Sequence, residues 1–315
     1  MYNKEQYKGI LEYFKDDLEL TLREIKSLLF SNENALNEEL DEFLSSKSKR
    51  LRPLLVFMVY NAICKPDKNM PPNKNIIKLA AALELLHSAT LLHDDIIDEA
   101  DTRRTRETLN NKYGAKIATL GGDYLLSLSL KLLSEINSPE IFKYFSENTL
   151  NICKGEINQF FNKNNTVTIE EYIEKSKNKT SSLFIAGVKS ALYLINKEIK
   201  PVLKSTKEAF LGYTLNFSLG FQIFDDIENF LNKNIEKSGS DIENGIYTLP
   251  YLYLLQQNQI YDIIEPTNQM RQEAEKFSIE YLNNILDNAA KSLDSAENID
   301  SKLLIKLTGI FKIQE

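Results

Sequence analysis

Asp94, Asp95 and Asp98 close a strongly apolar run, in ELLHSATLLHDDIIDEADTRRTRET, and are followed at once by Arg103, Arg104 and Arg106. Asp94 and Asp98 are four residues apart, so on a helix their carboxylates share a face, with Cβ atoms about 5–6 Å apart. Bare carboxylates this close repel, and an apolar flank makes their desolvation costly, so the arrangement needs a compensating cation. With no cysteine and few histidines nearby, the donors favour a hard ion such as Mg²⁺, which keeps several waters and shares its shell with substrate phosphates. The arginines downstream then suit phosphate forks. In a chain with 45 Asp and Glu among 315 residues, such a pattern arises roughly once by chance, so it needs support from its context.

That support comes from a second copy. FSLGFQIFDDIENF is another apolar run ending in Asp225, Asp226 and Glu228, with Asn229 where a third Asp would complete the pattern. Two such clusters at the ends of two apolar helices could face each other across a cavity and hold metal ions against a diphosphate. A basic cluster, Ser48-Lys49-Arg50-Leu51-Arg52-Pro53, sits at a helix start with Pro53 in the first turn. Cations there oppose the helix macrodipole; a site that receives an anion explains this, and a solvated basic loop is an equal alternative. Glu84 and His87 have the E-x-x-H spacing of di-iron carboxylate bundles. That fold needs a second copy, and His93 is the only other histidine.

Helices must position these groups. Glycine (11) and proline (8) are sparse, and hydrophobic residues make up 43% of the chain, which favours long uninterrupted helices and a substantial core. The periodicity predicts one amphipathic helix over about Asn3 to Leu29, a shorter one over Asn37 to Leu44, and a central helix, apolar nearly all round, over about Ile76 to Ala100. Beyond a loop around Asn110 to Gly114, further helices are expected over about Ala115 to Ile136 and from Pro139. Thr168 with Glu171, and Ser205 with Glu208, read as capping boxes opening two more. No segment alternates with strand period over a convincing length, and no linker divides the chain, so residues 1–315 are expected to form one domain. The net charge of −7 gives no footprint for nucleic acid. Cys64 and Cys153 read as two small buried hydrophobes in a reducing compartment. No apolar run reaches the roughly 18 residues that span a bilayer, and the N-terminus lacks a signal-peptide core, so a soluble cytoplasmic protein is expected.

Taken together, SKRLRP at Ser48, HDDIID, GGDYLL, GEINQF, Lys179-Thr180, FQIFDDIEN and GIYTLP at Pro250 resemble the trans-isoprenyl diphosphate synthases of the polyprenyl synthetase family, over about two hundred residues in the expected order. The resemblance implies an all-α isoprenoid synthase fold, a ring of antiparallel helices around a deep apolar cavity. It implies three Mg²⁺ ions, with Asp94, Asp95 and Asp98 on one side and Asp225, Asp226 and Asp241 on the other. Arg103, Lys179, Gln222 and Lys237 match contacts to the allylic diphosphate, expected to be farnesyl or geranylgeranyl diphosphate. Lys49, Arg52, His87 and Arg104 match those to isopentenyl diphosphate, and Thr180 stands where the family steadies the developing cation. A homodimer is also implied, for which the apolar segment from Ala115 to Leu133 is suited; ordinary core packing explains that segment equally well. Asn229, Ser48 and Thr105 depart from the family pattern without removing a charge the mechanism needs.

In this family, bulky residues four and five places before the first acidic motif stop chain growth early. Here they are Thr90 and Ala89, both small, so a growing chain should pass them to a long product of about C35 to C45, of the kind used for quinone tails. A short-chain C15 or C20 synthase is the nearest rival. A terpene cyclase fits the second motif poorly, because Asn229 and Lys233 stand where a Ser or Thr and then a Glu would be. A non-catalytic subunit has only Asn229 in its favour.

Overall fold

The computed structural model describes residues 3–29, 35–46, 48–65, 71–103, 106–161, 168–231, 247–258 and 266–314. Among these the regular structure is helical apart from one ribbon of two two-residue strands, and the chain divides into two compact units. One comprises Leu11–Tyr144 and Lys189–Pro201, the other Met1–Ile10, Phe145–Val188 and Val202–Glu315.

The first unit is organised around α5 (Lys74–Ile97), against which α2 (Lys15–Lys26), α4 (Leu51–Cys64) and α7 (Ala115–Ile136) pack. Asn73 caps α5, accepting from the Asn75 amide at 2.8 Å. Leu79, Leu83, Leu85, Leu86 and Leu92 lie at 3% exposure or less on all sides of the helix, as expected of an element surrounded by others. Each such side chain contributes about 1.5–3 kcal/mol through burial. Helix α7 approaches closely because Gly122 has no side chain: a Cβ there would lie 2.3 Å from His93 Nε2. One expectation is corrected here. Helix α5 is long and apolar enough by length and composition to cross a membrane, yet 67% of its most apolar window is buried within the protein, as in a core helix.

The second unit is organised around α11 (Lys204–Leu231). It packs on α9 (Ile169–Ser176), α12 (Leu249–Asn258), α13 (Asn268–Ser292) and α14 (Lys302–Phe311). Phe210, Tyr213, Phe217, Ile223 and Phe224 are fully buried along α11. The Phe311 ring meets Phe217, Phe221 and Phe224 edge-on at 5.3–5.9 Å between centroids, each pair worth about 0.5–1.5 kcal/mol beyond area burial.

Several boundaries differ from expectation. The first helix is broken at Phe14, which turns its ring inward at 1% exposure, so α1 (Lys4–Tyr13) and α2 replace one continuous element. Residues read as a loop before Gly114 form α6 (Leu109–Tyr113), capped by Thr108. The Thr168–Glu171 capping box is present, whereas Ser205 lies inside α11, which starts at Lys204 and leaves Ser205 no cap to make. Cys64 is half-buried, and Cys153, expected inside, is exposed on α8 (Pro139–Phe161).

Burial on α2, reinforced by neighbouring Asp16, pushes the Asp17 carboxyl from 3.8 up to about 6. The folded state therefore holds this proton more tightly than the unfolded chain, and stability is full below about pH 4 and falls as pH rises through 6. Asp17→Asn should raise Tm at pH 7.5 by the equivalent of about 1 kcal/mol, allowing for solvent screening at a partly exposed position, and leave it nearly unchanged at pH 4. Equal shifts at both pH values would show that burial of the charge is not the cause.

Candidate active site

Each acidic run ends the central helix of its unit. In α5, Asp98 is the C-cap residue, and its amide donates to the Asp94 carbonyl at 2.8 Å, so the four-residue spacing persists into the last turn. The chain then leaves the helix through Glu99, in the left-handed region at φ 48°. The Ala100 amide reaches the Asp95 carbonyl at 3.0 Å and the Glu99 amide reaches that of Ile96 at 3.2 Å. This pair of bonds is a Schellman stop without the usual glycine. Next, β1 (Thr102–Arg103) pairs antiparallel with β2 (Arg106–Glu107), Arg103 opposite Arg106, and the Thr108 hydroxyl ties the ribbon back to the Ala100 carbonyl at 2.6 Å.

The turn brings Arg103 back onto the helix it has just left. Its Nε donates to Asp95 Oδ1 at 2.5 Å, and the Asp95 side chain is only 3% exposed. Asp94 is half-buried and Asp98 exposed. The three carboxylates, grouped together by sequence, thus have different surroundings: Asp95 is anchored within the protein, and the other two lie nearer the surface.

The basic cluster separates in the same way. Arg50 precedes α4 in the left-handed region, with its guanidinium on the Leu44 carbonyl at 3.1 Å. Arg52 reaches across to α5, its Nη1 2.9 Å from His87 Nε2. Because a guanidinium can only donate, Nε2 is the acceptor, and the neutral ring carries its hydrogen on Nδ1. Lys49 is half-buried beside them in the chain. One turn on, the Thr90 hydroxyl bonds the His87 carbonyl at 2.7 Å, and Ala89 is buried at 2% exposure.

In the second unit, α9 runs into a π-helical turn, Lys177–Ser181, before α10 (Ser182–Leu194). Such turns are local distortions that recur at functional sites. This one carries Lys179, ion-paired with Glu156 of α8, and Thr180, whose hydroxyl donates to Gln222 Oε1 at 2.8 Å. Gln222 Nε2 donates to Asp226 Oδ1 at 3.0 Å, and Tyr172 donates to Asp226 Oδ2 at 2.5 Å. Asp226, expected among the metal residues, is 6% exposed with a protein donor on each oxygen, whereas Asp225 is half-buried. The expected site residues Arg104, Lys237 and Asp241 lie outside the described residues.

The donors in both acidic runs are carboxylate oxygens, which suit a hard divalent cation. Among the described residues, no three Asp, Glu, His or Cys side chains converge enough to hold an ion by themselves.

The polyprenyl synthetase model matches residues 33–283, most of the chain and parts of both units. The chain belongs to the polyprenyl synthetase family. This polyprenyl synthetase is 34% identical to a prenyl transferase from Cyanidium caldarium over 88% of its own length and 83% of that protein. It is 32% identical to the chloroplastic solanesyl-diphosphate synthase 2 of Oryza sativa subsp. japonica, over 79% of this chain and 61% of the other. Its fold matches the polyprenyl synthase from Caulobacter crescentus CB15, solved in complex with calcium and isoprenyl diphosphate, with a TM-score of 0.79 at 23% identity and 98% of each chain covered.

Sequence reasoning missed Tyr172, Glu156 and the turn at Glu99. Tyr172 follows a capping box and reads as a core aromatic, and Glu156 lies within GEINQF, whose acid had no partner assigned. Only Glu99, an ordinary residue where a helix stop favours glycine, leaves no signal at all. Glu99→Gly should stabilise the synthetase by about 1 kcal/mol in thermal unfolding, because a left-handed side-chain-bearing residue costs about 1–2 kcal/mol. A lower Tm would contradict the turn.

Proposed function

We infer that this prenyltransferase joins isopentenyl diphosphate head-to-tail to an allylic diphosphate and repeats the step to a long trans-polyprenyl product. The observation that carries the reading is the family match across residues 33–283 together with an acidic run closing the central helix of each unit. All 315 residues work as one polyprenyl synthetase domain, in the cytoplasm, on farnesyl or geranylgeranyl diphosphate as primer. Two copies associate through α7, which leaves Leu120 and Leu130 exposed at 51% and 44%.

Asp94 and Asp98, and from the second run Asp225 with Asp241, would hold three Mg²⁺ ions; the Caulobacter protein, solved in complex with calcium and isoprenyl diphosphate, supports a hard divalent ion here. Ions held there would supply charge neutralisation for the departing diphosphate. Asp95 and Asp226 support the ligands from inside the protein. Arg103, Lys179, Gln222 and Lys237 grip the allylic diphosphate, and charge-assisted donors of this kind strengthen as the oxygens gain charge. Lys49, Arg52, Arg104 and His87 hold isopentenyl diphosphate, with Arg52 braced against His87. Thr180 steadies the allylic cation, and apolar walls keep water from quenching it. The final proton passes to released diphosphate, so no side chain need act as base.

Ala89 and Thr90 lie one turn before the carboxylates, and their small size lets the chain grow to about C35 to C45. Incubating the purified chain with farnesyl diphosphate, isopentenyl diphosphate and Mg²⁺ should give that product, and chelation should abolish it. An end point at C15 or C20 contradicts the length assignment, and no turnover by the chain alone contradicts catalysis. Ala89→Phe should shorten the product without lowering total isopentenyl incorporation more than severalfold; unchanged length would place the floor elsewhere.

A further inference from the structure

A hydrogen-bonded chain in the second unit has a direction that can be read from its members. The Tyr172 hydroxyl donates to Asp226 Oδ2 at 2.5 Å, Gln222 Nε2 donates to Oδ1 at 3.0 Å, and the Thr180 hydroxyl donates to Gln222 Oε1 at 2.8 Å. Asp226 accepts on both oxygens, as a carboxylate does. It must therefore face the NH₂ end of Gln222, which turns the amide carbonyl to Thr180 and makes the Thr180 hydroxyl the donor. The Thr180 hydrogen is committed to Gln222, and its lone pairs point away.

We propose that Tyr172 and Asp226 are positioning residues that lock Gln222 in one of its two amide orientations, so that Thr180 offers lone pairs to the developing allylic cation. The proposal rests on the role given to Thr180 above. It also makes Asp226 part of the protein's own hydrogen-bond chain and not a metal ligand.

Two observations support it. Tyr172 and Asp226 are each 6% exposed, and a buried carboxylate is an expensive way to join helices that apolar packing could hold. The chain also ends on the π-helical turn that carries Lys179 and Thr180, the one distortion interrupting the α9–α10 rod inside this unit.

The test compares Tyr172→Phe, Asp226→Asn and the double variant by steady-state kinetics with farnesyl diphosphate, isopentenyl diphosphate and Mg²⁺, and by melting of the metal-free protein. Tyr172→Phe should lower kcat about tenfold or more, since small misplacements near the reacting atoms have large effects. KM for both diphosphates and the Mg²⁺ midpoint should not move. Asp226→Asn, whose NH₂ can turn Gln222 over, should lower kcat similarly at an unchanged Mg²⁺ midpoint. The double variant should recover melting temperature relative to Tyr172→Phe, because no buried charge is left short of a donor, while kcat stays low. Wild-type kcat in variants that only melt earlier would make the chain purely structural, and a displaced Mg²⁺ midpoint in Asp226→Asn would make Asp226 a ligand; either result overturns the proposal. A wild type that does not condense the two diphosphates would overturn the reaction assignment and this role for Thr180 with it, leaving the Tyr172–Asp226 melting coupling as a separate result.

Discussion

Adjacent residues on an α-helix point about 100° apart, so two consecutive aspartates cannot face the same way. Both acidic runs of this polyprenyl synthetase obey that constraint with the same outcome. In each, the second aspartate turns inward: Asp95 is 2% exposed and Asp226 6%. In each, the first, Asp94 or Asp225, is only half-buried. An inward carboxylate left alone would destabilise the fold by several kcal/mol, and each run brings its own remedy. Asp95 receives Arg103 from the ribbon that follows α5, and Asp226 receives Gln222 from one turn back and Tyr172 from α9.

The placement of these acids is unfavourable for the helices themselves. The C-terminal end of a helix carries partial negative charge, and carboxylates there lose about 0.3–1 kcal/mol each where cations would gain it. Asp94, Asp95 and Asp98 crowd the last turn of α5, and Asp225, Asp226 and Glu228 stand within the last two turns of α11. Both helices tolerate the arrangement because their apolar flanks are thoroughly packed. A divalent cation near such a helix end meets the carboxylates and the helix dipole acting in the same direction.

Much of this was legible in the sequence because it depends on local periodicity. The all-round apolarity of α5, the apolar runs of α7 and α11, and the Thr168–Glu171 box follow from side-chain spacing alone. The break at Phe14 and the helical turn at Leu109–Tyr113 were not legible, since neither contains a breaker or a strong periodic signal. The acidic motifs could be found, but the partners that reach their inward members from other elements could not. Arg103 read as a phosphate ligand from its neighbours in sequence, yet its partner Asp95 is reached only through a left-handed turn at Glu99 and a two-residue ribbon. Tyr172 lies far from Asp226 in the chain and meets it only through packing of α9 on α11. Gly122 likewise reads as a helix weakness until His93 is seen filling the space it leaves.

The measurement that decides most is calorimetric titration of a non-hydrolysable allylic diphosphate analogue into the wild-type chain, Asp94→Asn and Asp225→Asn, with Mg²⁺ and with a chelator. If the outward carboxylates of both runs act through divalent ions on one diphosphate, wild-type binding requires Mg²⁺, and either substitution alone weakens it at least about tenfold, the loss of one charge-assisted contact. Binding that survives chelation, or an Asp225→Asn chain that binds as the wild type does, would contradict it.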